Sequence, residues 1–367
     1  MQDIYKDTLF PFDEFLLSLN HNENFTNSFL FNKLILDTQE QNKINGKVKE
    51  NKYTFNLIRN RFTDKKSIII ICCKDNELLV EHCLTKIVLN EINLDHDILL
   101  VDDRSNTNCI LDLSDKYNIS YLRIDNSENV FNYSILNNIA ASYAIKYNKE
   151  LIIFYNNDLW PTSKRTLPSI IEKHFNSKAN ITGCKLLYPS KEEYEIIGKP
   201  KHVLDQIIDK IFGTIQHGGV FFTPKMSAFT DNNRTYGSPE IALAPSHLWR
   251  FYDSNHLPAS LDTTCYAVTG ALHIISSKDF IKLGGLNICM GIAFQDIDLC
   301  IKAIENNMLV YYVGSESMIH AESITNAKEE VTKTKDFYSD HILWEVLWAI
   351  KLPHILGYQR AFRTNNA

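Results

Sequence analysis

The 367-residue chain lacks an excess of basic residues. It has 38 Lys and Arg against 44 Asp and Glu, which gives a formal net charge of −6. Proteins that bind nucleic acids usually carry a basic balance, because they must neutralise phosphates. The charge therefore argues against a nucleic-acid partner. With 44% apolar and 22% charged residues, the composition is otherwise that of an ordinary globular protein.

Long apolar runs are also missing. The strongest run, residues 67–73, is far too short to span a bilayer, and residues 1–10 contain no apolar signal core. The eight cysteines show no zinc-ligand spacing. A disulfide framework is unusual in a chain with this supply of apolar residues. We therefore expect buried, reduced thiols and a cytoplasmic protein.

Short, β-branched apolar runs recur from residue 67 onward. Such runs are typical of strands buried on both faces of a parallel sheet. Segments with helical periodicity lie between them, and the alternation predicts an α/β fold with a mostly parallel sheet flanked by helices. The predicted strands are 68–71, 97–101, 119–124, 151–155, 181–187, 272–276 and 309–313. The predicted helices are 77–89, 133–147 and 296–306.

The two ends of the chain differ from this central part. Residues 1–64 carry apolar side chains at roughly helical spacing and are predicted to form a helical N-terminal extension. Residues 330–367 are also predicted to be helical, either packed on the domain or lying as an amphipathic helix on a membrane surface. Residues 65–329 form the predicted α/β domain, divided into 65–187 and 188–329.

One long stretch within the domain, residues 188–267, shows little periodicity and is rich in Pro, Gly and aromatic residues. We expect it to be irregular. Irregular stretches of this length inside a compact domain usually carry function.

Three polar clusters fall near the expected carboxyl ends of strands or at the start of a helix. They are Asp102-Asp103, residues 156–158 (NND) and residues 295–298 (QDID). Ligands of open α/β sheets bind at the carboxyl ends of strands. An isolated Asp after a strand is most often a turn residue or a helix cap. The order of the three clusters along the chain makes a ligand site the stronger interpretation.

These clusters and their flanking motifs resemble the family 2 glycosyltransferases, in the bacterial branch that builds O-antigens, capsules and related surface glycans. The resemblance covers about residues 66–323 and implies a GT-A fold and inversion at the sugar carbon. It is carried by residues 67–71 (SIIII), 99–105 (LLVDDRS), 129–138 (NVFNYSILNN), 155–158 (YNND), 216–220 (QHGGV), 268–271 (VTGA), 283–286 (LGGL), 294–300 (FQDIDLC) and 319–323 (IHAES).

The resemblance implies that the chain moves a sugar from a nucleoside diphosphate sugar to a hydroxyl of a surface glycan or of its lipid-linked precursor. It implies Asp296 as the general base, and Asp158 with His320 as ligands of a Mn²⁺ or Mg²⁺ ion on the donor diphosphate. Asp102 or Asp103 would contact the nucleobase or ribose, which favours UDP- and dTDP-sugars because a carboxylate suits a pyrimidine N–H. The other expected donor-side residues are Asn137, Asn156 and Asn157.

The residues expected to bind the acceptor are His217, Gly218, Gly270, Gln295, Asp298 and Trp249. General chemistry supports the division of roles, since a divalent ion neutralises the leaving diphosphate and a carboxylate takes the proton of the attacking hydroxyl. Purely structural roles remain alternatives for several of these residues. They are a helix cap for Asp298, a turn for His217, core packing for Trp249 and, on the metal side, an ordinary surface histidine for His320.

The chain departs from the family pattern at two positions. Asn156 stands where an Asp is frequent, which weakens metal binding and leaves Asp158 with most of the protein's share. Gln295 replaces the usual Glu before the base. A catalytically degenerate binding module is therefore one alternative, although the retained Asp158, Asp296 and His320 argue against it. A sugar nucleotidyltransferase is another, disfavoured because residues 72–76 (CCKDN) lack a Gly-rich, basic phosphate loop.

Overall fold

The computed structural model of the chain describes residues 29–31, 51–126, 131–198, 210–231, 234–322, 340–341, 343–349 and 351–355. The predictions made for residues 1–28, 32–50, 129–130, 323–339 and 356–367 lie outside these ranges. The strands are β1 Phe29–Phe31, β2 Asn51–Arg59, β3 Ser67–Cys73, β4 Asp97–Asp103, β5 Ser120–Asn126, β6 Leu151–Tyr155, β7 Leu159–Pro161, β8 Ile181–Leu187, β9 Ile215–His217, β10 Val220–Asp231, β11 Arg234–His247, β12 Thr263–Thr264, β13 Leu272–Ser276 and β14 Val310–His320.

One large sheet organises the chain, in the order β1-β2-β5-β4-β3-β6-β13-β8-β14-β12. Strands β5, β4, β3 and β6 run parallel to one another, as do β8 and β14, whereas β13 is antiparallel to both of its neighbours. Short β7 and β9 extend the sheet by pairing with β14 and β8. The predicted α/β fold with a mostly parallel sheet is confirmed.

Helices cover both faces of this sheet. They are α1 Glu77–Leu89, α2 Ile92–Asp95, α3 Cys109–Lys116, α4 Tyr133–Lys146, α5 Thr166–Asn176, α6 Lys191–Ile197, α7 Ser277–Lys282, α8 Gln295–Glu305 and α9 Leu352–Ile355, with a 3₁₀ turn at Leu257–Ser260 and a π-helical turn at Glu345–Ala349. On the central strand β3, Ile68 and Ile70 pack in one core with α4, while Ile69 and Ile71 pack in the other with α1. Burial on both faces explains why β3 reads as a continuous apolar run.

The N-terminal region contains strands where a helix was predicted. Strands β1 and β2 pair with each other, and β2 pairs antiparallel with β5. Tyr53 and Phe55 of β2 are buried, whereas Thr54 and Asn56 are exposed. This alternation is the period of a strand with one face on the core. The helical prediction is therefore wrong for residues 29–31 and 51–59.

The stretch 188–267 is also more regular than predicted. It contains α6, β9 and a long hairpin in which β10 pairs antiparallel with β11. Three prolines, at positions 224, 239 and 245, fall within this hairpin, and its register shifts between Met226 and Ala228. Pro within an apolar run argues against a strand, and a bulge breaks the alternation. Both features hid the hairpin from sequence analysis.

The described residues of the C-terminal segment pack on the domain. Its described residues are helical in part, and Leu343, Trp344, Leu347, Trp348 and Leu352 belong to the core. These apolar side chains are therefore turned into the protein and not toward a membrane surface. In the described part of the chain, no helix combines the length and the apolar character needed to cross a bilayer. All eight cysteines are described, and all are free thiols.

Candidate active site

Two of the three polar clusters, residues 156–158 and 295–298, meet around a short connection, Gly270-Ala271, that leads into β13. The carbonyl oxygen of Ala271 accepts a hydrogen bond (3.0 Å) from the backbone N–H of Asn156, in the turn after β6. The backbone N–H of Gly270 donates to Oδ2 of Asp296 at the start of α8 (2.8 Å). Two adjacent residues thus hold both the Asn156–Asp158 turn and the Asp296 carboxylate.

Asp158 and His320 form one end of the site. Strand β7 pairs antiparallel with β14, which sets Leu159 opposite His320. Nε2 of the imidazole lies 3.1 Å from Oδ1 of Asp158, and Nδ2 of Asn156 lies 3.4 Å from the same nitrogen. Burial lowers the pKa of His320, but the charge of Asp158, the hydrogen bond with Asp158 and the charge of Glu322 together outweigh burial, and the net pKa is raised.

Gln216 of β9 fixes the orientation of this imidazole. Its Oε1 lies 2.9 Å from Nδ1 of His320 and accepts the Nδ1 proton. Nε2 then presents a lone pair toward Asp158, unless it carries a second proton. Oδ1 of Asp158 is buried and has no hydrogen-bond partner within the described ranges. A carboxylate oxygen and an imidazole nitrogen that face each other in this way suit a divalent ion such as Mn²⁺, which accepts imidazole.

Asp296 forms the other end of the site. It is half-buried in the first turn of α8, where Oδ2 accepts from Gly270 and Oδ1 accepts from the backbone N–H of Ile297 (2.8 Å). Each carboxylate oxygen keeps a second lone pair. A Cβ atom at position 270 would lie 3.1 Å from Cβ of Asp296. Glycine at position 270 thus allows the close approach of Asp296, whereas the sequence predicted for it a contact with the acceptor.

Tyr133, which sequence analysis missed, lies between the two ends. Its hydroxyl donates to the carbonyl oxygen of Gly270 (3.1 Å). Burial raises the pKa of this phenol, and the nearby charges of Asp296 and Asp158, with Cys72, raise it further. The ionisation of Tyr133 is therefore influenced by both carboxylates. A lone Tyr at a helix start carries no sequence signal that separates it from core packing.

The Asn-rich segment at the start of α4 clamps the loop that leads to α8. Nδ2 of Asn132 donates to the carbonyl oxygen of Ile288 (2.9 Å), and Asn138 exchanges two hydrogen bonds with the backbone of Leu286 (2.8 and 2.9 Å). Ser134 donates to Met290 (2.6 Å). These contacts give the segment a positioning role. Asn137, predicted to contact the donor, is buried and donates within α4 to Tyr133.

Asp102 is enclosed inside the protein. It is fully buried and accepts hydrogen bonds from the hydroxyl of Tyr121 (2.6 Å), Nη1 of Arg123 (3.1 Å) and the N–H of Ser105 (2.8 Å). The adjacent Asp103 is buried and forms an ion pair with Arg104 (2.8 Å), and burial raises its pKa. Neither carboxylate is open to a nucleobase, so the structure gives no support to that predicted contact.

The residues predicted on the acceptor side fall into two groups. Gln295 lies beside Asp296, and its buried Oε1 has no hydrogen-bond partner among the described residues. Asp298, by contrast, is fully buried. Its Oδ1 accepts from Nε1 of Trp348 (2.8 Å), and its Oδ2 lies 3.2 Å from Nζ of Lys302. Asp298 therefore supports the fold, and the structure does not place it against an acceptor.

His217, Gly218 and Trp249 form a packed group beside the connection. Nδ1 of buried His217 lies 2.7 Å from Nδ1 of His247, and its Nε2 accepts a long hydrogen bond from the N–H of Thr269 (3.4 Å). Burial, together with His247, lowers the pKa of His217 well below the usual value. A Cβ atom at Gly218 would lie 2.7 Å from Trp249. Of the three residues, only Trp249 is partly exposed.

A further polar group, missed from sequence, adjoins His320. Nη2 of Arg250 lies 2.6 Å from Oε2 of Glu322 and 2.7 Å from the hydroxyl of Tyr188. The Arg250 guanidinium also lies over the ring of Phe251, at 5.3 Å from its centroid. The sequence did carry one signal of this group, because Glu322 lies two residues after His320. Its partner, 72 positions away in sequence, was not predictable.

The chain is similar to several known proteins. Residues 67–242 match the family model described as Glycosyl transferase family 2. The O-antigen biosynthesis protein RfbC of Myxococcus xanthus is 24% identical over 201 residues, which are 55% of this chain and 13% of that protein. The chain thus corresponds to a small part of that relative. A solved structure of GalNAc-T7 with UDP, GalNAc and Mn²⁺ superposes with a TM-score of 0.49 at 12% identity, over 71% of this chain and 44% of that one.

Proposed function

We propose that the chain is a family 2 glycosyltransferase, as the match of residues 67–242 to that family supports. It would transfer a sugar, with inversion, from a nucleoside diphosphate sugar to a hydroxyl of a bacterial surface glycan or its lipid-linked precursor. The observation that carries the proposal is the attachment of two polar ends to Gly270-Ala271. One end holds Asp158 and His320, and the other holds Asp296.

Asp158 and His320 are the residues that would hold a divalent ion. Mg²⁺ and Mn²⁺ in phosphate-handling sites use one or two protein carboxylates and complete their coordination with substrate phosphates. The described residues contain no group of three or more potential protein ligands. A two-residue site that depends on the donor diphosphate fits this finding. The ion would supply positive charge to the leaving diphosphate.

Asp296 is the residue that would take the acceptor proton. Two backbone N–H groups, of Gly270 and Ile297, hold its carboxylate in one orientation. The acceptor oxygen forms the new bond to the sugar carbon as the bond to the diphosphate oxygen breaks, and the hydroxyl proton passes to Asp296. A single base on the face opposite the leaving group is sufficient for an inverting displacement.

The test is release of nucleotide from a panel of UDP-, GDP- and dTDP-sugars, with Mn²⁺, Mg²⁺ or EDTA. We expect metal-dependent release from one donor and its loss in Asp296→Asn. The matched control is Asp262→Asn, because that carboxylate accepts from Ser315 and pairs with Lys173, away from α8. Absence of nucleotide release under every condition, together with absence of nucleotide binding by calorimetry, would contradict the proposal and favour a binding module.

A further inference from the structure

The C-terminal segment contacts the chain on both sides of Asp296. We call its described residues, 340–341, 343–349 and 351–355, the C-terminal brace. The first contact comes from Asp340, which is fully buried. Its Oδ2 accepts hydrogen bonds from the backbone N–H groups of Ile292 (2.7 Å) and Ala293 (3.1 Å). One buried carboxylate thus fixes two successive peptide groups just before α8.

The second contact supports a strained residue. Phe294 has a φ of 66° in the left-handed region, which is costly for a residue with a Cβ. No side chain caps the helix that begins after it. The ring of Phe294 stacks on Trp344, with centroids 5.5 Å apart, and lies 5.6 Å from the ring of His341. The brace therefore packs on the conformation that turns the chain into Gln295 and Asp296.

The third contact lies after Asp296. Nε1 of Trp348 donates to Oδ1 of Asp298 (2.8 Å), and both residues are fully buried. Lys302, one turn further along α8, lies 3.2 Å from the second oxygen. The brace is thus attached to the first turn of α8 as well as to the loop that precedes it.

From these contacts we propose that the C-terminal brace is a positioning element for Asp296, with Asp340 and Trp348 as its principal residues. The inference rests on the proposed role of Asp296. Asp340 accepts hydrogen bonds from the backbone of Ile292 and Ala293, and Trp348 donates one to the carboxylate of Asp298, so the proposed effect of both on Asp296 passes through residues 292–298. Small displacements of a reacting group cost large factors in rate, which makes such a fixed loop valuable. The brace lies outside residues 67–242, the region that matches the family model.

The test uses Asp340→Asn and Trp348→Phe in the full chain. Asparagine keeps the size of the side chain but removes the charge, and phenylalanine keeps most of the apolar surface but removes the Nε1 donor. We expect kcat for nucleotide release to fall by about 10- to 100-fold while the donor KM changes less than about twofold, since donor contacts stay intact. Amide exchange in residues 292–298 should accelerate in both variants. Asp262→Asn, the loss of a similar carboxylate elsewhere, should leave both readouts unchanged.

The proposal is overturned if folded Asp340→Asn and Trp348→Phe proteins keep wild-type kcat. It is also overturned if turnover falls only in proportion to the folded fraction, because that result indicates a purely structural role. Amide exchange separates this outcome from failure of the proposed function. If Asp296→Asn keeps its activity, the base assignment is wrong, whereas unchanged exchange at residues 292–298 shows that the brace does not hold the loop.

Discussion

Replacing Gly270 with alanine tests how precisely the Asp296 carboxylate must be positioned. The added Cβ would lie 3.1 Å from Cβ and 3.6 Å from Oδ2 of Asp296. Carbon atoms in contact prefer about 3.5–4.0 Å, so Asp296 or the connection must move by roughly half an ångström. The same backbone holds Oδ2 through the Gly270 N–H, at 2.8 Å. Overpacking of this kind costs about 1–3 kcal/mol of unfolding free energy, and we expect kcat to fall by about 10- to 100-fold.

Nucleotide release and thermal unfolding, measured on the same preparation, separate the two effects of Gly270→Ala. Gly183→Ala is the matched control, because the three atoms nearest to its added Cβ all belong to the side chain of Val268, the first at 2.7 Å. Both variants should lose stability, but Gly183→Ala should keep its kcat per folded molecule. If Gly270→Ala loses stability and yet turns over within about twofold of wild type, the contact between Gly270 and Asp296 does not position a base.

Three further predictions follow from the described contacts. His320→Ala should weaken Mn²⁺ binding in the presence of nucleotide by about 10- to 100-fold, measured by calorimetry, because one of two protein ligands is lost; unchanged affinity would exclude His320 as a ligand. Asp298→Ala should lower the unfolding free energy in urea by about 3–5 kcal/mol, because it leaves Lys302 buried without its ion pair, while the KM for the donor stays the same. Burial lowers the pKa values of His96 and His174 to about 4. Between about pH 4 and about pH 6.5, the usual His pKa, the unfolded chain therefore binds more protons than the folded protein. The contribution of each histidine to the free energy of unfolding, up to about 3 kcal/mol, is lost as the pH falls from about 6.5 to 4. Urea midpoints that do not fall over that range would contradict the sign.

The central strands and helices were predictable because their burial is simple. Residues 68–71 and 151–155 are buried on both faces of the sheet, so their sequences are apolar runs; β6 has the predicted bounds, and β3 extends the predicted strand to Ser67–Cys73. Helices α1 and α4 begin and end within one residue of the predictions. The β10–β11 hairpin pairs with itself outside the large sheet and contains prolines, so its sequence carries neither signal.

The site was predictable only in part, for a related reason. The resemblance selected Asp158, His320 and Asp296, which the structure brings to the two sides of Gly270-Ala271. It also selected Asp102 and Asp298, whose carboxylates are closed by Tyr121 and Trp348, 19 and 50 positions away in sequence. A motif gives the type of a side chain, but its partners depend on the fold.

The most direct test of the central claim compares Asp158→Asn and Asp296→Asn, with nucleoside diphosphate binding measured by calorimetry and turnover by nucleotide release. The account predicts that Asp158→Asn loses metal-dependent binding, whereas Asp296→Asn binds the nucleotide with Mn²⁺ as the wild type does but releases none from the donor. Wild-type binding by Asp158→Asn, or wild-type turnover by Asp296→Asn, would contradict the division of the site into a donor end and a base.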